Sequence, residues 1–455
     1  MLNKQQLQEK YCVPAPRYTS YPTVPYWNPE PPNLQDWTEQ VRRSFIQSNS
    51  SQGISLYIHL PFCESLCTYC GCNTRITKNH QVEIPYIDTV LKEWDLYCAI
   101  LPDKPIIREI HLGGGTPTFF SPEHLKMLIS SILKKSKVHA EAEFSFEAHP
   151  DNTSEEHLVT LFELGFRRIS LGIQDFDPKV QLIINRIQSF EQVESITSKA
   201  RQIGYTSINY DLIYGLPLQN IDGLRDTIEK VCQLKPDRIA FYSYAHVPWV
   251  KPGQRKFTEE HLPSATLKQE LYELGRQLLA SDGYLEIGMD HFALATDSLC
   301  LAGKTGKLHR NFMGYTHQST QLMISLGVSS ISDTWYSFAQ NVKKVEDYTR
   351  LVNSGEFPIF KGHVLSDDDL IIRKHILNLM CLGNTTWDDS NLKSEAFLKA
   401  LERLQELEDD QLAIRSGQTL TVTQDGKRYL RNICMAFDAR LYQNKPETAL
   451  FSMAD

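Results

Sequence analysis

Four cysteines fall within ten residues, Cys63, Cys67, Cys70 and Cys72, in the run Pro61-Phe-Cys-Glu-Ser-Leu-Cys-Thr-Tyr-Cys-Gly-Cys72. Thiolates this close can hold a metal ion or an iron–sulfur cluster, and three readings are open. All four could ligate a tetrahedral zinc, or all four could close an electron-transfer cluster. In the third, the Cys-x3-Cys-x2-Cys spacing of the first three holds a cubane whose fourth iron stays free for another ligand, which makes the cluster a place for chemistry. Zinc knuckles pair two short cysteine units across a longer loop, and the bacterial ferredoxin run is spaced differently. Compression onto one short loop therefore favours the third reading.

Two further features could serve a ligand near these thiols. Gly113-Gly-Gly115 lets the backbone approach a bound group with no Cβ in the way. Over 142–147, Ala142, Phe144 and Phe146 share one face of a strand and Glu143, Ser145 and Glu147 the other. If the polar face looks inward, Glu147 offers an acceptor to an amine or hydroxyl. Gln174, Arg186 and Asp211 pose the same choice between solvent and ligand.

These residues need a scaffold that brings them to one place. From about residue 50, short β-rich runs alternate with helix-length amphipathic segments, the pattern of an α/β parallel sheet or barrel. Strands are expected over 56–62, 107–112, 142–147, 168–173, 207–214 and 238–244, with a helix after the second that Ser121 caps and Pro122 opens. In barrels the loops after the strand C-termini collect the active site. The cysteines follow the first strand, Gly113 to Pro117 the second, and Glu147 ends the third. Gly172-Ile-Gln-Asp-Phe176 ends the fourth, Asn209 to Pro217 the fifth and Tyr244-Ala-His-Val-Pro248 the sixth.

The segmentation expected is a proline-rich N-terminal arm over 1–50, a barrel over 51–335 and a small, mostly helical, winged-helix-like domain over 336–455. In the last, 367–382 and 392–407 read as helices, and 412–423 as a hairpin turning at Ser416-Gly417. Hydrophobic residues at 41% and charged residues at 22% of the 455 are ordinary soluble usage. The first ten residues lack the apolar core of a secretory signal, and no run approaches the roughly 18 apolar residues a membrane helix needs, so a soluble cytoplasmic protein is expected. Without a signal, ten cysteines do not read as a disulfide framework. Cys12, Cys98, Cys232, Cys300, Cys381 and Cys434 are expected as small core residues. A net charge of −8 argues against a nucleic-acid partner.

Cys63, Cys67 and Cys70, with the aromatic Tyr69 before the third cysteine, resemble the radical S-adenosylmethionine signature. The added Gly71-Cys72 is more selective. Together with Pro16-Arg-Tyr-Thr-Ser-Tyr-Pro22, Gly113 to Pro117, Asn209 to Pro217, Tyr244-Ala-His246, Gly288-Met-Asp-His-Phe292, His309-Arg-Asn311 and Arg431-Asn-Ile-Cys434, it makes residues 11 to 440 resemble the oxygen-independent coproporphyrinogen III oxidase family.

The resemblance implies a partial (β/α)6 barrel of the radical S-adenosylmethionine type. It implies a [4Fe-4S] cluster on Cys63, Cys67 and Cys70, with Cys72 not a ligand. S-adenosylmethionine, one molecule or two, would contact Tyr57, Tyr69, Gly114, Gly115, Thr116, Glu147, Gln174, Arg186, Asp211, Ala245 and Ile331. The substrate would be coproporphyrinogen III, two of whose propionates are oxidatively decarboxylated to vinyls, and a separate electron donor and acceptor would take part. Four substrate carboxylates call for cationic partners, and Arg17, Arg75, Lys78 and Arg310 are the candidates. A monomer is expected, with the N-terminal arm over the barrel mouth. Tyr69 stands where the family often has Phe, and His149 where it often has an acid. The alternatives are a haem-binding relative, which typically lacks the Cys72 and Pro16-Arg-Tyr-Thr features, and a zinc-stapled binding protein.

Overall fold

A computed structural model describes residues 2–444 and 451. Residues 1, 445–450 and 452–455, at the ends of the segments expected over 1–50 and 336–455, lie outside the described residues. The chain divides into two compact units, one of residues 33–300 with 320–361, the other of residues up to 32, 301–319 and 362 onward.

The larger unit is built on the six strands expected from the sequence. They are β1 (Ile54–Leu60), β2 (Ile106–Gly114), β3 (Lys137–Ala148), β4 (Phe166–Gln174), β5 (Ser207–Tyr214) and β6 (Arg238–Ser243). Each neighbouring pair is parallel. Helices α1 (Glu83–Ile100), α2 (Pro122–Lys134), α3 (Glu155–Glu163), α4 (Phe190–Ile203), α5 (Ile221–Leu234) and α6 (Ala265–Ser281) follow the strands in turn. Helix α2 begins as the sequence predicts, with Ser121 accepting from the His124 N–H and Pro122 in the first turn.

Alternation along the strands separates two faces. Leu56, Ile58, Leu60, Ile110, Leu112, Phe144, Phe146, Ile169, Leu171, Ile208 and Leu212 are all buried and belong to one continuous apolar core. The intervening residues, among them Tyr57, His59, His111, Glu147, Ser170 and Asp211, take the other face, which looks into the partial barrel. Register stacks them across strands: Tyr57 sits opposite His111, His111 opposite Ser145, Glu147 opposite Ser170, and Gly172 opposite Asp211.

The sheet is wider than the sequence predicts. On one side, β7 (Tyr284–Ile287) and β8 (His291–Leu294) form an antiparallel pair whose second strand joins β6. On the other, β9 (Met323–Leu326) adds parallel to β1, and β10 (Ile331–Asp333), β11 (Ser337–Asn341) and β12 (Ile359–Val364) extend the edge. The order is β12-β11-β10-β9-β1-β2-β3-β4-β5-β6-β8-β7. Most of the added strands have three to five residues, too short for periodicity to show.

The smaller unit is largely helical. Asp367–Leu382 is a helix with the expected bounds, while the next runs from Glu395 to Asp409, starting later than expected because Ser394 caps it. Ala413–Ser416 and Thr419–Val422 pair as the expected hairpin, joined on its other side by Asn384–Thr386. The N-terminal residues pack here: Lys10 and Tyr11 both bond Asp410 at 2.6 Å, and Asn432 donates to the Tyr11 carbonyl at 2.9 Å. Of the six scattered cysteines expected in the core, only Cys300 and Cys434 are fully buried. Cys98 and Cys232 are half-buried and pack against the large core, and Cys12 and Cys381 are half-buried in the smaller unit.

Candidate active site

The cysteine loop leaves β1 and is pinned at both ends. Phe62–Cys63 pairs in parallel with Arg75–Ile76, the Arg75 N–H donating to the Pro61 carbonyl at 2.8 Å and Thr77 N–H to the Cys63 carbonyl at 2.9 Å. Inside this closed loop, Cys70 N–H donates to the Cys67 carbonyl at 3.1 Å, turning the chain so that both thiols serve one short segment. Thr68 N–H binds the Ile184 carbonyl at 2.9 Å, and Gln254 donates to the Tyr69 carbonyl at 3.0 Å, so segments after β4 and β6 steady the loop from the side.

Each thiol has its own surroundings. Cys63 Sγ lies 3.3 Å from the Thr116 hydroxyl, and burial pushes its pKa up to about 11. Arg186 Nη1 donates to Cys67 Sγ at 3.6 Å. Cys70 Sγ accepts from Cys72 N–H at 3.4 Å, and hydrogen bonding from Cys72 lowers the Cys70 thiol, so Cys72 serves a neighbour's sulfur. Among the described residues no three His, Cys, Asp or Glu side chains close on a single ion. A cubane asks for a different arrangement, one thiolate on each of three irons. Three thiols on one loop, with a guanidinium beside the middle one, suit that group.

Opposite the cysteines, the end of β2 comes very close. Gly114 has φ +113° and a Cβ there would lie 2.8 Å from the His59 ring, while one on Gly115 would lie 2.6 Å from the Pro61 carbonyl carbon and oxygen. Gly115 N–H donates to the Leu60 carbonyl at 2.8 Å and Thr116 N–H to that of Phe62 at 3.0 Å. Glycine is needed because Gly114 lies against the His59 ring and Gly115 against the Pro61 backbone.

The barrel face completes the arrangement. Glu147 accepts from Gly114 N–H at 3.3 Å and faces His111 Nε2 at 3.4 Å, yet its side chain remains 43% exposed to the open interior. Burial raises its pKa, but the His111 bond and charge, with the Gly114 N–H, outweigh that and leave it below the usual carboxylate range. It is therefore an anion with free acceptor capacity. His59 Nε2 lies 2.9 Å from the Asn73 carbonyl, which only accepts, so this nitrogen carries the proton and Nδ1 accepts the Tyr57 O–H at 3.1 Å. Burial lowers the His59 pKa, in keeping with that neutral ring. Tyr57 also stacks on His111, ring centres 6.0 Å apart.

Asp211 accepts from Ser170 and Asn209, each at 2.9 Å, and burial raises its pKa to about 6. Gln174, at φ +66°, and Arg186 both press on Gly172, where a Cβ would lie 2.7 Å from Arg186 Nη2 and 2.8 Å from Gln174 Nε2. His149 is half-buried, and its desolvation together with the Arg186 charge lowers its pKa to about 3, so it is neutral.

Contacts thus connect Tyr57, Gly114, Gly115, Thr116, Glu147, Gln174 and Arg186 with the cysteine loop, and Tyr69 meets Ala245 through Gln254, which donates to both carbonyls. Ile331 lies on β10, where its carbonyl accepts from Ser325 of β9, the residue opposite Tyr57 on β1. Of the cationic candidates, Arg75 is exposed and paired with Glu346 at 3.0 Å, and Lys78 is exposed. Arg310 is buried, stacked on Tyr315 at 4.4 Å and donating to the Arg17 carbonyl at 3.4 Å. Its Nε and Nη1 have no partner among the described residues. Sequence reasoning missed His59 and His111, although His59 lies two residues after Tyr57 and His111 alternates with the buried Ile110 and Leu112 on the facing strand.

Residues 57–231 match the model of the Radical SAM superfamily, so fold and site define a radical S-adenosylmethionine protein with a [4Fe-4S] cluster and S-adenosylmethionine as cofactors. The likeness to particular members runs along almost the whole chain. It is 38% identical to the oxygen-independent coproporphyrinogen III oxidase of Synechocystis sp., over 99% of this chain and 97% of that one. With the protein of the same name from Escherichia coli K12 it shares 36% over 96% of this chain and 95% of that one. The solved structure of coproporphyrinogen III oxidase (HemN) from Escherichia coli, a radical SAM enzyme, matches with a TM-score of 0.88 at 34% identity, covering 93% of this chain and 97% of that chain. The chain belongs to the oxygen-independent coproporphyrinogen III oxidase family.

Proposed function

We propose that this protein is the enzyme that converts coproporphyrinogen III to protoporphyrinogen IX without oxygen in porphyrin and haem biosynthesis, turning two propionates into vinyls. The observation that carries the reading is the near-full-length likeness to oxidases of that name, joined to a cysteine loop that faces a glycine turn and an open carboxylate. When bound, the cluster and S-adenosylmethionine supply a 5'-deoxyadenosyl radical that takes hydrogen from a propionate β-carbon, after which carbon dioxide leaves and one electron passes to an acceptor.

The protein's own part is placement. Cys63, Cys67 and Cys70 hold the cluster, and Cys72 steadies Cys70. Gly114 and Gly115 let the end of β2 seat against His59 and the cysteine loop, beside which S-adenosylmethionine would lie, and Glu147, held ionised by His111, would accept from its amino group. Arg186 and Gln174 frame the β4 end, Asp211 adds an acceptor, and Tyr57, Tyr69, Thr116, Ala245 and Ile331 complete the contacts. For substrate carboxylates we choose Arg310 first, since a buried guanidinium with unpartnered N–H groups lacks the acceptors such groups ordinarily find. Arg17 is its neighbour. Arg75 is the weaker candidate because Glu346 already neutralises it. Among the described residues no helix is long and apolar enough to cross a membrane.

The test is an anaerobic assay with dithionite, S-adenosylmethionine and coproporphyrinogen III. Carbon dioxide and vinyl products are expected. Cleavage of S-adenosylmethionine without decarboxylation would overturn the substrate assignment.

A further inference from the structure

Large apolar side chains that stand in solvent are concentrated beside the cysteine loop. Among the described residues five are more than 60% exposed: Ile46, Leu182, Ile187, Trp249 and Val250. Four of the five lie in two short segments, 182–187 and 247–256, and both are bonded to the loop that carries the thiols. In the first, Asn185 donates to the Leu66 carbonyl at 2.8 Å and Arg186 reaches Cys67 Sγ at 3.6 Å. In the second, Lys251 donates to the Cys72 carbonyl at 3.1 Å, and Gly253 packs on Leu66, itself 40% exposed.

The charge around these side chains is unlike that of the chain as a whole. Segment 247–256 carries Lys251, Arg255 and Lys256 and no carboxylate, in a protein of net charge −8. Glu259 and Glu260 come next along the chain, Lys179 with Asp177 flanks the other segment and Glu64 lies in the cysteine loop, so the cationic character belongs to 247–256. An exposed tryptophan followed by an exposed valine, in a segment that also carries three cations, has the composition of a protein-docking patch, with an aromatic anchor and steering charge.

We propose that this face docks the electron donor, and that the donor is an acidic one-electron carrier protein. The proposal rests on the reading that Cys63, Cys67 and Cys70 hold a redox cluster. One electron would pass from the reduced carrier, which is thereby oxidised, to the cluster that Cys63, Cys67 and Cys70 would hold, and would there serve the one-electron reductive cleavage of the sulfur–carbon bond of S-adenosylmethionine. Docking here sets the carrier against the backbone of the cluster's own loop, which shortens the path the electron must cross. The apolar centre supplies affinity, and Arg255 and Lys256 supply the encounter rate.

The test uses anaerobic, cluster-loaded enzyme mixed rapidly with flavodoxin hydroquinone, following cluster reduction by absorbance. Trp249→Ser and the double change Arg255→Glu, Lys256→Glu are each expected to lower the second-order rate constant at least tenfold. The double variant should also flatten its fall with rising salt. Reduction by dithionite should stay within twofold of wild type in both. The docking proposal is overturned if the flavodoxin fails to reduce wild type or reduces the variants equally fast. It is equally overturned if dithionite slows in parallel, or if the variants act only by changing the oligomeric state in sedimentation. Product formation by wild type with dithionite tests the reaction separately, so a failed docking test leaves the proposed function standing.

Discussion

Gly115→Ala puts the close approach between the glycine turn and the cysteine loop to a direct test. The new methyl carbon would fall 2.6 Å from the Pro61 carbonyl carbon and oxygen and 2.9 Å from the Phe62 carbonyl oxygen. Non-bonded carbon atoms settle at about 3.5–4.0 Å, so the two backbones must part by roughly 1 Å. That backbone cannot swing aside freely, since Gly115 and Thr116 N–H groups hold it at 2.8 and 3.0 Å and it leads straight into Cys63. Overpacking of this kind costs about 1–3 kcal/mol, which is roughly five- to 150-fold in an equilibrium constant. We expect a folded protein that takes up cluster less completely and binds S-adenosylmethionine more weakly by a factor in that range. Iron and sulfide per chain after anaerobic reconstitution, and equilibrium dialysis with labelled S-adenosylmethionine, measure the two effects. Gly71→Ala is the control, because a methyl there meets nothing within 4 Å and should change neither quantity. Wild-type iron content and affinity in Gly115→Ala would refute the reasoning, as would equal damage from Gly71→Ala.

Three more outcomes are expected. Cys72→Ser should keep an oxygen-sensitive cubane and Cys70→Ser should not, as iron analysis and visible absorption will show; loss in both would restore the four-thiolate reading. Arg310→Gln should raise the KM for coproporphyrinogen III about ten- to 100-fold, the worth of a charge-assisted hydrogen bond at about 1.5–3 kcal/mol, while iron content and S-adenosylmethionine binding stay unchanged. Glu93, fully buried on α1, accepts from Tyr348 at 2.6 Å, Asn341 at 2.6 Å and Gly327 N–H at 2.8 Å, and burial raises its pKa from 4.5 to about 7. A raised carboxyl pKa favours the protonated form in the fold, so stability is full below pH 4.5 and falls as pH rises through 7, by about 3 kcal/mol. Urea unfolding of wild type and Glu93→Gln between pH 4.5 and 8 should show that fall in wild type and its loss in the variant, and parallel curves would dismiss it.

Much of the fold was legible because its central strands repeat every two residues. Bounds for 207–214 came out as Ser207–Tyr214, and the others within two residues except the third, which begins five residues earlier at Lys137, since β-branched and aromatic side chains must alternate with polar ones when one face is packed under helices. The edge strands were not legible. Met323–Leu326 is buried on both faces and only four residues long, so it carries no alternation to read, and Ile331–Asp333 owes its strand to pairing with Ser337–Asn341. At the site, the cysteines and the triple glycine announced themselves by spacing, whereas His59 and His111 looked like ordinary strand residues.

What the sequence determined alone is the local chemistry. Three thiols at fixed intervals, a turn without Cβ atoms and a strand with one polar face are properties of neighbours along the chain, and their meaning survives in any fold. Which face of the third strand looks inward was not written there, because alternation defines two faces and leaves their destinations open. The parallel sheet decided it: the apolar face was taken by helices, and register set Glu147 beside Gly114 and His111, which lie 33 and 36 residues away in the chain. The same packing bonded Arg186 to Cys67 across 119 residues and tied the segments of Asn185 and Lys251 to the cysteine loop. Such encounters depend on which strands pair and in what register, a choice made by the whole core at once.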